Sequence, residues 1–147
     1  MSNMNYTAQI VIARPRERVI ELIQDPEHLA AWQPGWRYGP MLIGEPNQVG
    51  SQRWVHVQMQ GVRLEMVETI LDYSPPEFYA SAYLAKGVKN LVENRFYADS
   101  PDSTRWVMSN SFHFGGLMKF VGGLLGDIVP KQTVAAMQRV KQLAERS

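Results

Sequence analysis

The chain has 147 residues, 45% hydrophobic and 20% charged, with 15 basic residues against 14 acidic ones for a net charge of +1. This fits one domain, residues 1–147, long enough to bury a real core, and the charge balance gives no basis for binding nucleic acid. There is no cysteine, which excludes disulfides, thiolate metal sites and a cysteine nucleophile.

The first residues show no charged-then-apolar leader pattern, and no apolar run reaches the roughly 18 residues of a membrane span. The expectation is a cytoplasmic protein without stable membrane insertion. Residues 5–13 alternate through Tyr6, Ala8, Ile10 and Ile12 as a strand. Pro15 then marks a helix start, and Val19, Ile20, Leu22 and Ile23 form its apolar face. Asp25-Pro26-Glu27 signals a second, short helix that carries Leu29 and Trp32 and stops near Pro34-Gly35.

Six further strands are predicted at 37–45, 51–59, 62–72, 77–86, 88–98 and 104–114, separated by turn signals such as Gln60-Gly61, Ser74-Pro75-Pro76 and Lys86-Gly87. Connections this short join antiparallel neighbours, since parallel ones need a crossover. From Leu117 to Glu145 the apolar spacing becomes helical, with Pro130 expected to bend or break the helix. Beyond it Val134, Met137, Val140 and Leu143 form the predicted buried stripe. The reading is α+β: a seven-stranded antiparallel sheet with two short helices after strand 1 and a long C-terminal helix.

Three stretches resemble a known family. They are Ile12-Ala13-Arg14-Pro15 with Asp25-Pro26-Glu27-His28 and Trp32-Gln33-Pro34-Gly35; Val67 to Pro76 running into a Pro-Pro turn; and Thr104-Arg105-Trp106. Together with the element order they resemble the START/Bet v 1-like (SRPBCC) superfamily, most of all its polyketide cyclase/dehydrase and lipid-transport-like branch. The resemblance implies a helix-grip fold, with the sheet curved around the C-terminal helix and an apolar ligand held between them. It carries no subfamily catalytic signature onto this chain.

Strand alternation nominates the wall of that cavity. Trp106, Met108, Asn110 and Phe112 share one face of the last strand, and Leu64, Met66 and Glu68 share a face with Ile70. Leu117, Phe120, Val121 and Leu124 are the facing helix positions. For 77–86 either face is apolar. Tyr79 and Tyr83, with Ser81, are taken as inward because hydroxyls in a cavity pair with water or ligand, although aromatic packing explains them equally well. In 88–98, Leu91, Glu93, Arg95 and Tyr97 oppose Val92, Asn94 and Phe96, and the charged pair is expected to face solvent.

Glu68 is the candidate catalytic residue, because a carboxylate facing an apolar cavity can act as general acid or base; the alternative is a paired structural carboxylate. Asn110 is a polar residue on an apolar face, placed either to orient a ligand carbonyl or to satisfy a backbone group or water. His28, His56 and His113 have no metal-ligand spacing and no phosphate loop is present, so neither metal nor cofactor is expected. Glycines at 115–126 are expected to form a gate or flexible lip.

The leading functional expectation is binding or transport of a small hydrophobic molecule, a lipid, polyketide or aromatic metabolite, by a monomer or homodimer. The alternatives are a polyketide cyclase or dehydratase using a cavity acid/base, and an interaction or regulatory module that contacts partners through Trp32 to Trp36. Against the last, Trp32 and Trp36 are expected to cap the cavity mouth.

Overall fold

Tight turns between successive strands leave the chain little choice but a meander, and the computed structural model, which describes residues 2–59, 61–116 and 119–147, has one. Strands β2 (Trp36–Ile43), β3 (Gln52–Met59), β4 (Val62–Ser74), β5 (Phe78–Ala85), β6 (Val88–Ser100) and β7 (Ser103–Phe114) pair in sequence order. Strand β1 (Ser2–Ile12) completes the curved seven-stranded antiparallel sheet by pairing with β7, giving the order β1-β7-β6-β5-β4-β3-β2. Consecutive strands β1 and β2 therefore lie at opposite edges. The chain between them has to cross the concave side of the sheet, and its helices do so.

Helix α1 (Arg16–Gln24) starts behind Pro15, whose carbonyl accepts from the amides of Arg18 and Val19. Asp25 then caps a short 3-10 turn (Pro26–His28) by accepting from the Glu27 amide at 2.9 Å, with Pro26 at the first position, where a missing N–H costs nothing. Helix α2 (Leu29–Trp32) follows and ends at Gln33. Gly35 turns the chain into β2 with φ +88°, and a Cβ there would sit 2.1 Å from the Gln58 carbonyl oxygen. Gly35→Ala is expected to destabilise by about 2 kcal/mol, combining a left-handed backbone with a collision that no side-chain rotation relieves. Urea unfolding checks this, and a loss below roughly 0.5 kcal/mol would mean the turn relaxes freely.

Helix α3 (Lys119–Arg146) fills the concave side. Of the bend or break expected at Pro130, the break does not occur: the segment passes through the proline as one helix. The proline forfeits only the bond to the Gly126 carbonyl, a local loss in a helix of 28 residues. The buried stripe also differs from the predicted one: it runs through Ala136, Met137, Val140 and Ala144, while Val134 is 49% exposed. The two alanines let the helix approach β1 and α1 closely, and Leu143 packs at the margin of this core. The helix end is tied back to β1, because Glu145 accepts from the Ala13 amide at 2.8 Å and from Lys141, which hold its carboxyl below the ordinary glutamate range. Leu117 and most of the expected gate fall outside the described residues or side chains: Phe120, Val121 and Leu124 occupy helix positions, but their side chains are not among those described.

The concave face is built of cross-strand rows, because period-two alternation brings residues of all strands into register. The first row is Arg53, Glu68, Tyr83, Asn90 and Phe112. The second is Ile70, Ser81, Val92, Asn110 and Tyr6. The third is Tyr73, Tyr79, Asn94, Met108 and Ala8, and the last is Phe96, Trp106 and Ile10. Over the last row lies the main apolar core, where Phe96 and Trp106 stack at 5.8 Å and meet residues such as Ile12, Val19, Ile23, Trp32 and Met137. The polar rows lie beside it, toward the other end of the sheet.

Candidate functional site

Where the polar rows are not filled by α1 and α2, a cavity of about 150 Å³ remains. Its floor is the first three rows, and Trp32, Trp36, Val129 and Thr133 border it from the helical side. Trp32 is buried and meets Trp106 edge-on at 6.2 Å, while half-buried Trp36 meets Tyr83 edge-on at 5.8 Å. The Trp32–Trp36 turn thus packs inward, which leaves the interaction-module reading without an exposed aromatic patch there.

The strongest electrostatic feature crosses three strands in the first row. Arg53 Nε donates to Glu68 Oε1 at 2.7 Å, and the Tyr83 hydroxyl donates to Glu68 Oε2 at 2.8 Å. Their side chains are well shielded, 14% exposed for Arg53 and 7% for Glu68. The Arg53 guanidinium also lies 3.4 Å from the Tyr38 ring centroid, a cation–π contact that fixes its plane. Burying a carboxylate is costly unless it is paired, and here both oxygens are. Glu68 therefore sits at the cavity as a paired carboxylate, with proton transfer possible through Tyr83.

Four of the tyrosines at the cavity, Tyr6, Tyr38, Tyr79 and Tyr83, are held neutral. Burial pushes the Tyr83 hydroxyl well above its ordinary value, with the neighbouring Glu68 charge adding to it, and burial likewise raises Tyr79. Tyr38 is raised by burial against the opposing pull of Arg53, and Tyr6 by burial against its hydrogen bond to Thr133. They act as hydroxyl donors and acceptors rather than as phenolates. Tyr6 and Thr133 Oγ1 are 2.7 Å apart and link β1 to α3 at the cavity.

A second network follows the amides. Asn90 Nδ2 donates to Asn110 Oδ1 at 3.3 Å and to the Ser111 carbonyl at 3.2 Å. Trp106 Nε1 donates to Asn94 Oδ1 at 2.9 Å, which satisfies the indole of a wholly buried tryptophan. Asn110 Nδ2 and Trp32 Nε1 are buried without an acceptor among the described residues, a condition that costs about 1–3 kcal/mol per group.

Of the expected wall, the structure brings Glu68, Tyr79, Tyr83, Met108, Asn110 and Phe112 to the cavity. It places three others elsewhere. Met66 packs with Val55 and Val57 in a small separate core that Leu64 borders, because the cavity lies beyond their end of β4. Trp106 faces the right side of the sheet but is covered completely by helices. In β6 the inward face is Asn90, Val92, Asn94 and Phe96, and Glu93 and Arg95 point outward with Arg95 over the Phe78 ring. Arg53, Tyr38, Tyr6, Asn90 and Thr133 were not anticipated at the cavity, and Asn94 was expected only on the inward face of its strand. A signal existed for Arg53: in 51–59 it shares a strand face with the apolar Val55 and Val57, so alternation alone turns it inward, to the same side of the sheet as Glu68. Among the described residues no group of three or more His, Asp or Glu is placed to hold a metal ion.

A curved antiparallel sheet closed on a long C-terminal helix, with two short helices across its mouth and a cavity between, defines a helix-grip protein of the START/Bet v 1-like (SRPBCC) superfamily. Within it the chain belongs to the polyketide cyclase/dehydrase and lipid transport family, whose pattern matches residues 4–145. Among solved structures it is similar to the Zhui aromatase/cyclase of Streptomyces sp. R1128, at 21% identity and a TM-score of 0.80, covering 99% of this chain and 95% of that one. It is also similar to a conserved protein of Geobacillus kaustophilus, at 15% identity, TM-score 0.75 and coverage of 99% and 97%. A norcoclaurine synthase point mutant from Thalictrum flavum matches at 14% identity, TM-score 0.71 and coverage of 99% and 96%. At such identities these likenesses establish the fold. No curated protein sequence matches the chain. No helix among the described residues is long and apolar enough to cross a membrane.

Proposed function

We propose that the protein binds a small, largely apolar molecule in the cavity over the middle of the sheet. The observation that carries this is the cavity itself, with aromatic walls and a floor of buried hydrogen-bonding groups, the combination typical of small-molecule sites. Its volume of about 150 Å³ is below the roughly 300–1,000 Å³ of drug-sized sites and near that of an engineered cavity, ~150 Å³, that takes one benzene. A one-ring or small two-ring aromatic molecule fits this space, and a two-chain lipid does not. Support for a ligand-holding role also comes from the family, described as covering cyclases, dehydrases and lipid transport.

The test is an NMR titration of the protein with isopropylbenzene. Saturable shifts are expected at Ser81, Val92 and Tyr79 on the cavity floor. Ser81→Leu, which fills that floor, should weaken binding at least tenfold, about 1.4 kcal/mol. Binding that survives Ser81→Leu unchanged, or shifts confined to the outer face, would place the ligand elsewhere.

A second reading is a cyclase or dehydratase, favoured by one observation: Glu68 borders the cavity and is hydrogen-bonded to a hydroxyl that can relay a proton. In that case Glu68→Gln keeps ligand binding and lowers turnover of a small polyketone at least a hundredfold, the usual scale of a positioned acid or base. Unchanged turnover would remove Glu68 from the mechanism.

A further inference from the structure

Two further depressions lie beside the cavity, where α3 passes the Gln33–Trp36 turn. A side pocket of about 90 Å³ shares Trp36, Met108, Val129 and Thr133 with the cavity, so these side chains are the wall common to both. Beyond it is an open groove of about 440 Å³, which shares Pro34, Gln132 and Arg139 with the side pocket. Helix spacing explains the series. Val129, Thr133 and Ala136 form the stripe of α3 along the side pocket, and Ile128, Gln132, Ala135 and Arg139 form the adjoining stripe along the groove. Strand β3 contributes the exposed Gln58 to the groove.

The charge along this path has one sign. Arg139 and Lys131 line it, and among the described residues no Asp or Glu does. Arg139 is half-buried and has no carboxylate partner among the described residues, whereas Arg18, Arg105 and Lys141 each have one. The cavity interior differs. A carboxylate placed there would face Glu68, whose counter-charge Arg53 and hydroxyl donor Tyr83 are already engaged. An anionic group therefore finds its counter-charge at the mouth and not inside.

We propose that the ligand is an arylalkanoate, whose ring enters the cavity between the Gln33–Trp36 turn and α3 and whose carboxylate is held by Arg139 in the outer groove. This rests on the small-molecule reading above and adds the ligand's charge, its direction in the site and its route. From Thr133 at the cavity to Arg139 at the groove the helix rises about 9 Å. The arginine side chain shortens that gap, because helix side chains lean toward the N-terminus, here back toward Thr133. A short carbon chain spans the rest. Entry requires Trp36, Val129 and Thr133 to turn aside, and all three are half-buried rather than locked in the core.

5-Phenylpentanoate and its uncharged amide, 5-phenylpentanamide, test it, because they share the ring, the chain and the carbonyl and differ in charge. The quantity read is the ratio of their affinities, measured by calorimetry. Arg139→Gln is expected to lower the acid-to-amide ratio about fivefold, the upper end for one partly exposed ion pair, and to leave the amide unaffected. Gln58→Glu, which sets a carboxylate in the groove, should lower it too. Lys89→Gln, which removes a charge from the outer face of the sheet, should not. In the unaltered protein the Arg139 Nε–H signal should shift with the acid and stay in place with the amide, while Ser81 and Val92 report the ring in the cavity for both. If both compounds move Ser81 and Val92 but the ratio is unchanged in Arg139→Gln, or falls equally in Lys89→Gln, the groove does not hold the anion. The inference then falls while the binding reading stands. It also falls alone if isopropylbenzene binds and neither chain compound does; if none of the three binds, both readings fall.

Discussion

Arg53→Met is expected to destabilise the protein by about 3–5 kcal/mol, because it leaves the Glu68 carboxylate buried without its counter-charge. The distances and exposures make this a buried pair: 2.7 Å between Arg53 Nε and Glu68 Oε1, with side chains 14% and 7% exposed. Exposed ion pairs of the same geometry contribute about 0–1 kcal/mol, so the size of the loss measures the burial directly. For a chain of this length, each kcal/mol moves the melting temperature by about 2–4 °C, so a fall on the order of 10 °C is expected. The Tyr83 hydroxyl does not rescue Arg53→Met, since one neutral donor replaces neither the charge nor the second bond. Pairing Arg53→Met with Glu68→Leu should recover most of the loss, because removing both charges removes the desolvation cost along with the attraction. Urea unfolding of the two single variants and the double variant gives the coupling. A loss under 1 kcal/mol for Arg53→Met would show that water reaches Glu68 in solution.

The same pair shows where the amino-acid sequence was readable. Strand alternation identified Glu68 as facing inward, and it correctly put Asn110 on the concave face with Met108 and Phe112, because each judgement needs only the chain's own period of two. That Arg53 stands directly opposite Glu68 depends on the register between β3 and β4, which is set by the turn at 60–61 and is not a property of either strand alone. Asn90 is the same case: it meets Asn110 only because β6 and β7 pair with that register. The architecture was legible because turn signals, helix starts and apolar periods are local. At Pro130 the sequence left a bend and a break open, and the helix continues because packing along the sheet tolerates one lost hydrogen bond, which the local preference of proline does not reveal. Val134 misled differently, since alanines 136 and 144, weakly hydrophobic by themselves, turned out to define the close-packed face. Leu64, Met66 and Trp106 have the expected orientation but not the expected surroundings. Whether an inward side chain meets a cavity or a helix is decided by the placement of α1, α2 and α3, and sheet periodicity does not contain it.

Trp106→Ala is expected to cost about 3–5 kcal/mol, the range for deleting a large aromatic from a close-packed core. Trp106 is 0% exposed and stands at the junction of the sheet with all the elements that cover it. It stacks on Phe96 at 5.8 Å, and Phe96 in turn on Tyr79 at 5.8 Å, so the series reaches from the core to the cavity wall. Trp32 closes on its other side at 6.2 Å. Phe96 is restrained from collapsing into the void, because it stays stacked on Tyr79 and its strand is paired on both sides. Trp106→Phe separates packing from hydrogen bonding. It keeps a ring on Phe96 but removes the Nε1 donor, leaving Asn94 Oδ1 to find another partner, for a cost of about 1–3 kcal/mol. Adding Asn94→Leu should then return part of that loss, since an orphaned acceptor is worse than an apolar side chain of similar size. Recovery identifies the amide as the source of the penalty. Further loss would mean that Asn94 is satisfied from the cavity, where water or ligand reaches it, and that the wall between core and cavity is thinner than the stacked rings imply.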